Sequence, residues 1–250
     1  MKTILLLAAA LGLAVLPAQT SGFTADMTLR ARLGYSLGGT APVGLPASIR
    51  GLNSYRLQPN LSFGLDAVKP LAPHWGALLG LRFENKSMDE DARVKDYHED
   101  IVRGGESLTG RFTGDVTTQV HQWMVSVPLQ AVWSPASTVA LRFGPYVSVL
   151  VDRSFTGYAH NGYLRVGDPT GAKVTLGDDP ATRGSYDFSD DMRHLQWGLD
   201  IGADWNPRGR LGLYADLSWG LSGVHRSSFK TIEQTLYPIF GTFGLTYRLR

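Results

Sequence analysis

Apolar and polar residues alternate with a period of two over eight stretches of this chain. The clearest is Trp123–Trp133, where Trp123, Val125, Val127, Leu129, Ala131 and Trp133 form an unbroken apolar row. Successive side chains on a strand point to opposite faces, so strict alternation predicts a strand with one apolar face. The same reading gives strands at Met27–Leu37, Tyr55–Ala67, Trp75–Glu84, Val139–Asp152, Leu195–Trp205, Leu211–Ser222 and Ile239–Arg250. Three prolines, Pro59, Pro128 and Pro145, fall inside these strands. Each lacks a ladder donor, so local bulges are expected there.

The connections alternate in length. Short links are predicted at Val68–His74, Ser134–Thr138 and Asn206–Arg210, each with turn-forming proline or glycine. Long links are predicted at Gly38–Ser54, Asn85–Gln122, Arg153–His194 and Gly223–Pro238. Within the third, Tyr163–Val166 and Lys173–Leu176 read as a hairpin extension. An even strand count with short turns at one end and long loops at the other is the pattern of an outer-membrane barrel. Both termini are then expected on the periplasmic side.

Volume decides which face is lipid-facing. The apolar rows are crowded with Leu, Phe, Tyr and Trp, whereas an eight-stranded barrel has an interior that side chains just fill. The opposite rows carry glycines, with Arg30, Arg32, Arg56, Arg82, Arg142 and Arg248 against Asp66, Glu84, Asp152, Asp200, Asp204 and Asp216. Buried charges are tolerable only when paired, so these twelve are expected to form an interior ion-pair network. Trp75, Trp133 and Trp205 lie beside the short turns and Trp123 and Trp219 beside the long loops, as membrane-interface aromatics do. The expected fold is therefore all-β, an eight-stranded antiparallel transmembrane β-barrel with long extracellular loops and a plugged, charged interior. Wide aqueous pores need about 16–18 strands, which excludes a large diffusion channel.

The start of the chain adds an address. Lys2, the apolar run Ile4–Leu16 and the small residues around Ala18–Ser21 read as a secretory signal peptide over residues 1–20, with the barrel domain at 21–250. Thirteen residues fall short of the ~20 that a spanning helix needs. No cysteine is present, so neither disulfides nor a lipoprotein anchor is expected. Without Lys2, 23 basic residues face 22 acidic ones, which gives no footprint for nucleic acid.

The last strand, with Thr242, Gly244, Tyr247 and Leu249, resembles the C-terminal signal read by the barrel-assembly machinery. That resemblance implies that machinery, periplasmic chaperones in transit and outer-membrane lipids as partners. The stretches Leu57-Gln-Pro-Asn-Leu-Ser-Phe-Gly, Val125-Ser-Val-Pro-Leu, Leu141-Arg-Phe-Gly-Pro-Tyr, Gly198-Leu-Asp-Ile-Gly-Ala and Leu213-Tyr-Ala-Asp-Leu-Ser-Trp-Gly-Leu resemble the PorT-like outer-membrane β-barrel family of Gram-negative bacteria. The resemblance implies an eight-stranded barrel, a porin-family label and, for some members, a part in secretion. It carries over no catalytic residues.

Candidate chemistry is sparse. His121, His194 and His225 lie near the long-loop ends, but no spacing ties a nucleophile to a base. The acidic runs Asp89-Glu90-Asp91 with Asp96, Glu99 and Asp100, and Asp187 with Asp190 and Asp191, lack calcium-loop spacing and read as solvated loop faces. Arg103, Arg111 and Arg153 are candidates for lipopolysaccharide phosphates. No metal or cofactor is expected. The leading expectation is a non-enzymatic structural or binding protein acting through surface loops, followed by a narrow ion-conducting porin and then a lipid-modifying enzyme.

Overall fold

The computed structural model describes residues 26–44, 46–232 and 234–249; the expected signal peptide lies outside the described residues. Twelve strands follow one another: β1 (Thr28–Pro42), β2 (Ile49–Arg56), β3 (Leu61–Ala72), β4 (Trp75–Asn85), β5 (Met88–Arg103), β6 (Glu106–Ala136), β7 (Val139–Val166), β8 (Lys173–Leu176), β9 (Gly184–Asp187), β10 (Leu195–Arg208), β11 (Leu211–Gly220) and β12 (Leu236–Arg248). Among the described residues the chain is all-β with twelve strands, more than the eight expected, because segments expected as loops are themselves paired strands.

Eight of the twelve form an antiparallel cycle, β1–β3–β4–β6–β7–β10–β11–β12, which returns to β1 through thirteen register pairs from Arg30↔Arg248 to Pro42↔Leu236. Along these strands the apolar rows point outward and stay exposed, as at Leu65, Leu129, Phe143 and Ile201, while Arg32, Asp66, Ser126 and Asp200 are buried within. A water-soluble barrel has the opposite polarity. Tight turns at Pro73–His74, Ser137–Thr138 and Gly209–Arg210 join neighbours at one end. Gly209 adopts φ +74°, which a side chain would resist. Near those turns Leu78, Val132 and Ala140, packed against Val68, fill the lumen with apolar side chains.

The prolines act differently from expectation. Pro59 lies in the break between β2 and β3, outside any strand. Pro128 and Pro145 lie within β6 and β7 but produce no register shift. The β4–β6 ladder resumes in register across Pro128, from Leu79↔Leu129 to Arg82↔Ser126. The β6–β7 ladder does the same across Pro145, from Pro128↔Tyr146 to Ala131↔Phe143. A missing donor removes rungs, whereas an extra residue at Pro128 would put Ser126 and Gln130 on opposite faces of the sheet. The bulges fall elsewhere, notably where Trp123↔Asp152 is followed by Met124↔Leu150, leaving Val151 as the extra residue.

At the other end the sheet does not stop. β6 has 31 residues, and the Glu106–Trp123 part alone extends roughly 55 Å at about 3.3 Å per residue. There β5, β6, β7 and β9 close a second, smaller cycle, completed by the pair Val102↔Ser185. The expected hairpin extension is present as the β7–β8 pairing, Tyr163↔Thr175 and Leu164↔Val174. This head has its own core, in which Ile101, Phe112, Val120, Phe155, Leu164 and Met192 are buried. β2 pairs with β5, and Tyr55 Oη donates to Gly38 O at 2.6 Å, tying head to barrel rim.

Close approach of β6 to β7 at the Pro145 gap depends on Gly144, where a Cβ would meet Leu129 O and Gln130 Cα. Gly144→Val is expected to lower stability by roughly 1–3 kcal/mol. The measurement is the urea midpoint of the refolded protein in lipid vesicles. Gly51→Val, where a Cβ meets nothing within 4 Å, serves as the unchanged control.

Candidate functional site

Two regions carry the chain's polar chemistry: the lumen and the head. In the lumen the phase of β1, β3, β4, β7, β10 and β11 delivers one or two charged residues each to a shared layer. Arg32 on β1 pairs with Asp66, with Asp204 at 2.5 Å and with Asp216 at 3.1 Å. Arg142 on β7 pairs with Asp216, with Asp204 at 3.0 Å, and donates to Gln130 Oε1 at 3.0 Å. Arg82 on β4 reaches Asp216 at 3.4 Å, Asp200 at 3.6 Å and Asp66 at 3.9 Å. Arg30 donates to Asp204 at 3.1 Å from a less buried position. Glu84 accepts from Ser126 at 2.7 Å and Ser62 at 3.3 Å.

Lys86 belongs to the same layer, although it falls within the long link expected over Asn85–Gln122. It is buried, 3.5 Å from Glu84, and lies over the rings of Tyr146 and Phe240. The available signal was its phase, two residues beyond Glu84. With Lys86 included, five cations face five carboxylates, and Gln122, Gln130 and Arg142 are almost wholly buried around them. The side chains of this layer are packed against one another and almost wholly removed from solvent.

Three expected members of the network lie elsewhere. Arg56 is 74% exposed and pairs with Asp89 of the head, because the break at Pro59 places it on β2 and not in the barrel wall. Asp152 is 68% exposed and faces His121 at 3.6 Å, because the Val151 bulge reverses its phase. Arg248 keeps the inward phase but sits exposed at the end of β12, beyond the buried layer. The expected interface aromatics all face outward. Trp75 stacks on Trp133 (6.3 Å between centroids) and Trp123 on Phe83 (4.9 Å), while Trp205 and Trp219 are exposed. Trp197, missed as an interface residue, joins that exposed set. On β12, Thr242 faces inward and bonds Ser36, a Cβ at Gly244 would meet Leu33 O, and Tyr247 and Leu249 face outward.

In the head, the acidic run is not a uniformly solvated face. Asp91 accepts from Asn53, Thr117 and His160 at 2.7–2.8 Å, and His160 reaches Asp178 at 3.0 Å through its other nitrogen. Asp115 pairs with Arg93 at 3.2 Å. Glu90 and Glu99 instead point into the head's interior. Burial pushes Glu90 up to about 7 and, with the neighbouring charge of Asp100, Glu99 up to about 8. Among the described residues no group of three or more His, Cys, Asp and Glu is arranged to hold a metal.

The three histidines occupy different environments. His225 is wedged between Phe155 and Phe229, and burial pushes it down to about 4. His194 contacts Arg153 at 2.6 Å. His121 is brought against Ser87 Oγ at 2.9 Å and Asp152 at 3.6 Å, a constellation that sequence spacing did not reveal. Ser87 is 4% exposed, and its hydroxyl donates to Asn85 at 2.6 Å, so its oxygen accepts from His121 rather than giving up a proton to it. A serine nucleophile needs the reverse.

Two outcomes are expected from this geometry. Arg142→Met leaves Asp216 and Asp204 short of a buried partner and is expected to cost about 3–5 kcal/mol in vesicle unfolding experiments. Asp152→Asn, outside the network, leaves the midpoint in place. The second outcome concerns pH. The folded head holds the protons of Glu90 and Glu99 far above the ordinary glutamate range of ~4.3. Their stabilisation is complete below that range and is lost as pH rises through about 7 and 8. Hydrogen exchange of β5 amides, corrected for intrinsic rate, is therefore expected to quicken across that window by about tenfold or more. Glu99→Gln flattens the trend.

The model of the outer membrane protein beta-barrel domain family matches residues 18–226. No curated protein matches the sequence. Among solved structures, the chain is similar to Ail, the attachment invasion locus protein of Yersinia pestis, at 11% identity and TM-score 0.35, over 89% of this chain and 97% of that one. The complex of Ail with the heparin analogue sucrose octasulfate has the same coverage and identity and a TM-score of 0.36. The translocator domain of the autotransporter NalP from Neisseria meningitidis matches at 12% identity and TM-score 0.26, over 97% of this chain and 96% of that one. With most of its length matched, the chain belongs to the outer membrane protein beta-barrel domain family and resides in the bacterial outer membrane.

Proposed function

We propose that eight strands form a transmembrane barrel that anchors a folded extracellular head, and that recognition through this head is the protein's role. The observation that carries the reading is the continuation of β5, β6 and β7 well past the outward apolar rows into a second closed cycle with its own core. A connection between membrane strands needs no such core. The filled lumen argues against a diffusive role. Thr242, Gly244, Tyr247 and Leu249 are the proposed address for the barrel-assembly machinery. The finer PorT-like membership rests on the sequence stretches quoted above.

A second reading, a lipid-modifying enzyme, is favoured by one observation: Ser87, His121 and Asp152 meet at the outer rim beside Trp123. The donation of Ser87 to Asn85 ranks it second.

The test replaces residues 89–120 and 154–193 with short turns. The shortened protein is expected to keep heat-modifiable gel mobility, while cells displaying it lose the adhesion that the full chain confers on immobilised glycans or proteins. Retained adhesion would sink the recognition reading, and steady single-channel conductance of the full chain in planar bilayers would put the pore in its place. Fatty-acid release from lipid vesicles, lost on Ser87→Ala, would instead promote the enzyme.

A further inference from the structure

The link between β11 and β12 folds back on the start of β10 and forms with it a half-open cavity of about 200 Å³, more than ten times the ~10–15 Å³ that one water requires on this measure. Backbone contacts build it. Met192 and His225 pair as an isolated bridge, flanked by Arg193 N donating to Val224 O and Arg226 N donating to Asp191 O, both at 2.8 Å. A turn closed by Phe229 N on Arg226 O at 3.1 Å then places Lys230 at its exit. Arg193, Arg226 and Lys230 thereby line one space, together with the hydroxyls of Ser227 and Thr235. Phe229, Ile232 and Leu236 wall it off on the side of the head core.

No carboxylate is among the described lining residues, and none of the three cations has a carboxylate partner elsewhere among the described residues. Arg56, Arg93 and Arg183 of the head, by contrast, are matched by Asp89, Asp115 and the ring of Tyr158. Like charges gathered against an apolar wall repel one another and focus a positive field into the cavity. Arg193 Nε donates to His225 O at 2.8 Å, which orients the guanidinium and leaves its η nitrogens for another acceptor. His225 Nε2 is buried and has no hydrogen-bond partner. The cavity is thus a set of donors and positive charges that lacks an acceptor.

We infer that this cavity is a binding site for a phosphate monoester, carried by a soluble molecule or by the headgroup of an adjacent lipid. A carboxylate or a sulfate ester brings one negative charge, whereas a phosphate monoester brings close to two, with three strong acceptor oxygens. Two guanidinium forks and an ammonium match that charge and geometry, and the Ser227 and Thr235 hydroxyls can donate to the remaining lone pairs. The position of the cavity admits both sources. Arg193 stands two residues before Leu195, where the outward row with Trp197 begins, and Gly223 follows the exposed Trp219 and Leu221. These exposed tryptophans mark the outer membrane–water interface in the barrel reading above, and lipid phosphates lie at that height.

The lipid source rests on the transmembrane reading, and the soluble source does not. The refolded full chain in maltoside micelles is titrated calorimetrically at a pH of about 7.5, above the second pKa of ~6 of a phosphate monoester. One titrant is glycerol 3-phosphate and the other is phosphatidic acid in mixed micelles. Saturable binding is expected, weakened about tenfold or more by Arg226→Gln and by Lys230→Gln. Both side chains are exposed, so both variants are expected to fold, and if one does not, the other decides. Arg183→Gln, on the Tyr158 ring, is expected to leave binding unchanged. Phosphatidylglycerol, a diester with one charge, is expected to bind about tenfold more weakly than phosphatidic acid. Tighter binding of phosphatidic acid assigns the site to a headgroup, and tighter binding of glycerol 3-phosphate assigns it to a soluble ligand. Absence of saturable heat with both titrants, from protein that retains heat-modifiable mobility, overturns the inference. So does wild-type affinity in both cavity variants, or an equal loss in Arg183→Gln. Adhesion retained by the shortened protein would sink the recognition reading and leave phosphate binding by the full chain untouched.

Discussion

Charge balance inside a narrow lumen is the constraint on which the rest of the barrel depends. Lipid takes the apolar rows outside, so the polar rows must satisfy one another within a space only side chains can fill. Five carboxylates and five cations, most of them shared between two or three partners, do this in one layer. Six of the eight strands supply these charges, so any of those that slipped register by one residue would present a charge to lipid and strand its partners in the lumen. The network fixes register as much as it contributes stability.

The same layer explains two of the inward glycines. At Gly202 a Cβ would meet Asp216 Oδ1 and Arg142 Nη2, and at Gly80 it would meet Asp66 Oδ1. These positions are empty because the guanidinium and carboxylate groups from neighbouring strands occupy the space. The interior charges and the missing side chains are one design, and neither makes sense alone.

Within the membrane band the fold was legible in the sequence because lipid enforces the alternation over ten residues or more. The outward row from Trp123 to Trp133 and its polar counterpart at Ser126 and Gln130 lie where the period of two puts them. Legibility failed at single-residue events. The Val151 bulge takes Asp152 out of the lumen, and the break at Pro59 takes Arg56 into the head. Above the membrane it failed more broadly. The bulge between Val94 and Tyr97 splits the inner row of β5 into an even half and an odd half, so no long alternation survives to be read. The acids that matter there look, in sequence, like a solvated loop.

A strand that runs from lipid into water must exchange its apolar face, and the two longest strands do so in different ways. β6 keeps its phase and changes its chemistry: Gln130, Ser126 and Gln122 line the lumen, then Val120 and Val116 on the same inward row enter the head core. β7 keeps its chemistry and changes its phase: the odd row Phe143, Val147 and Val151 faces outward, and beyond the bulge the odd Phe155 and Ala159 are buried. The bulge therefore marks where the requirement for apolar side chains passes from the lipid-facing surface to the interior of the head. Because β6 and β7 remain paired through that point, head and barrel share a continuous ladder with Trp123 and Asp152 opposite each other at the exchange. Two cores of opposite polarity can be built on one sheet only if each strand makes that exchange at the same height, and the Trp123–Asp152 pair sets it.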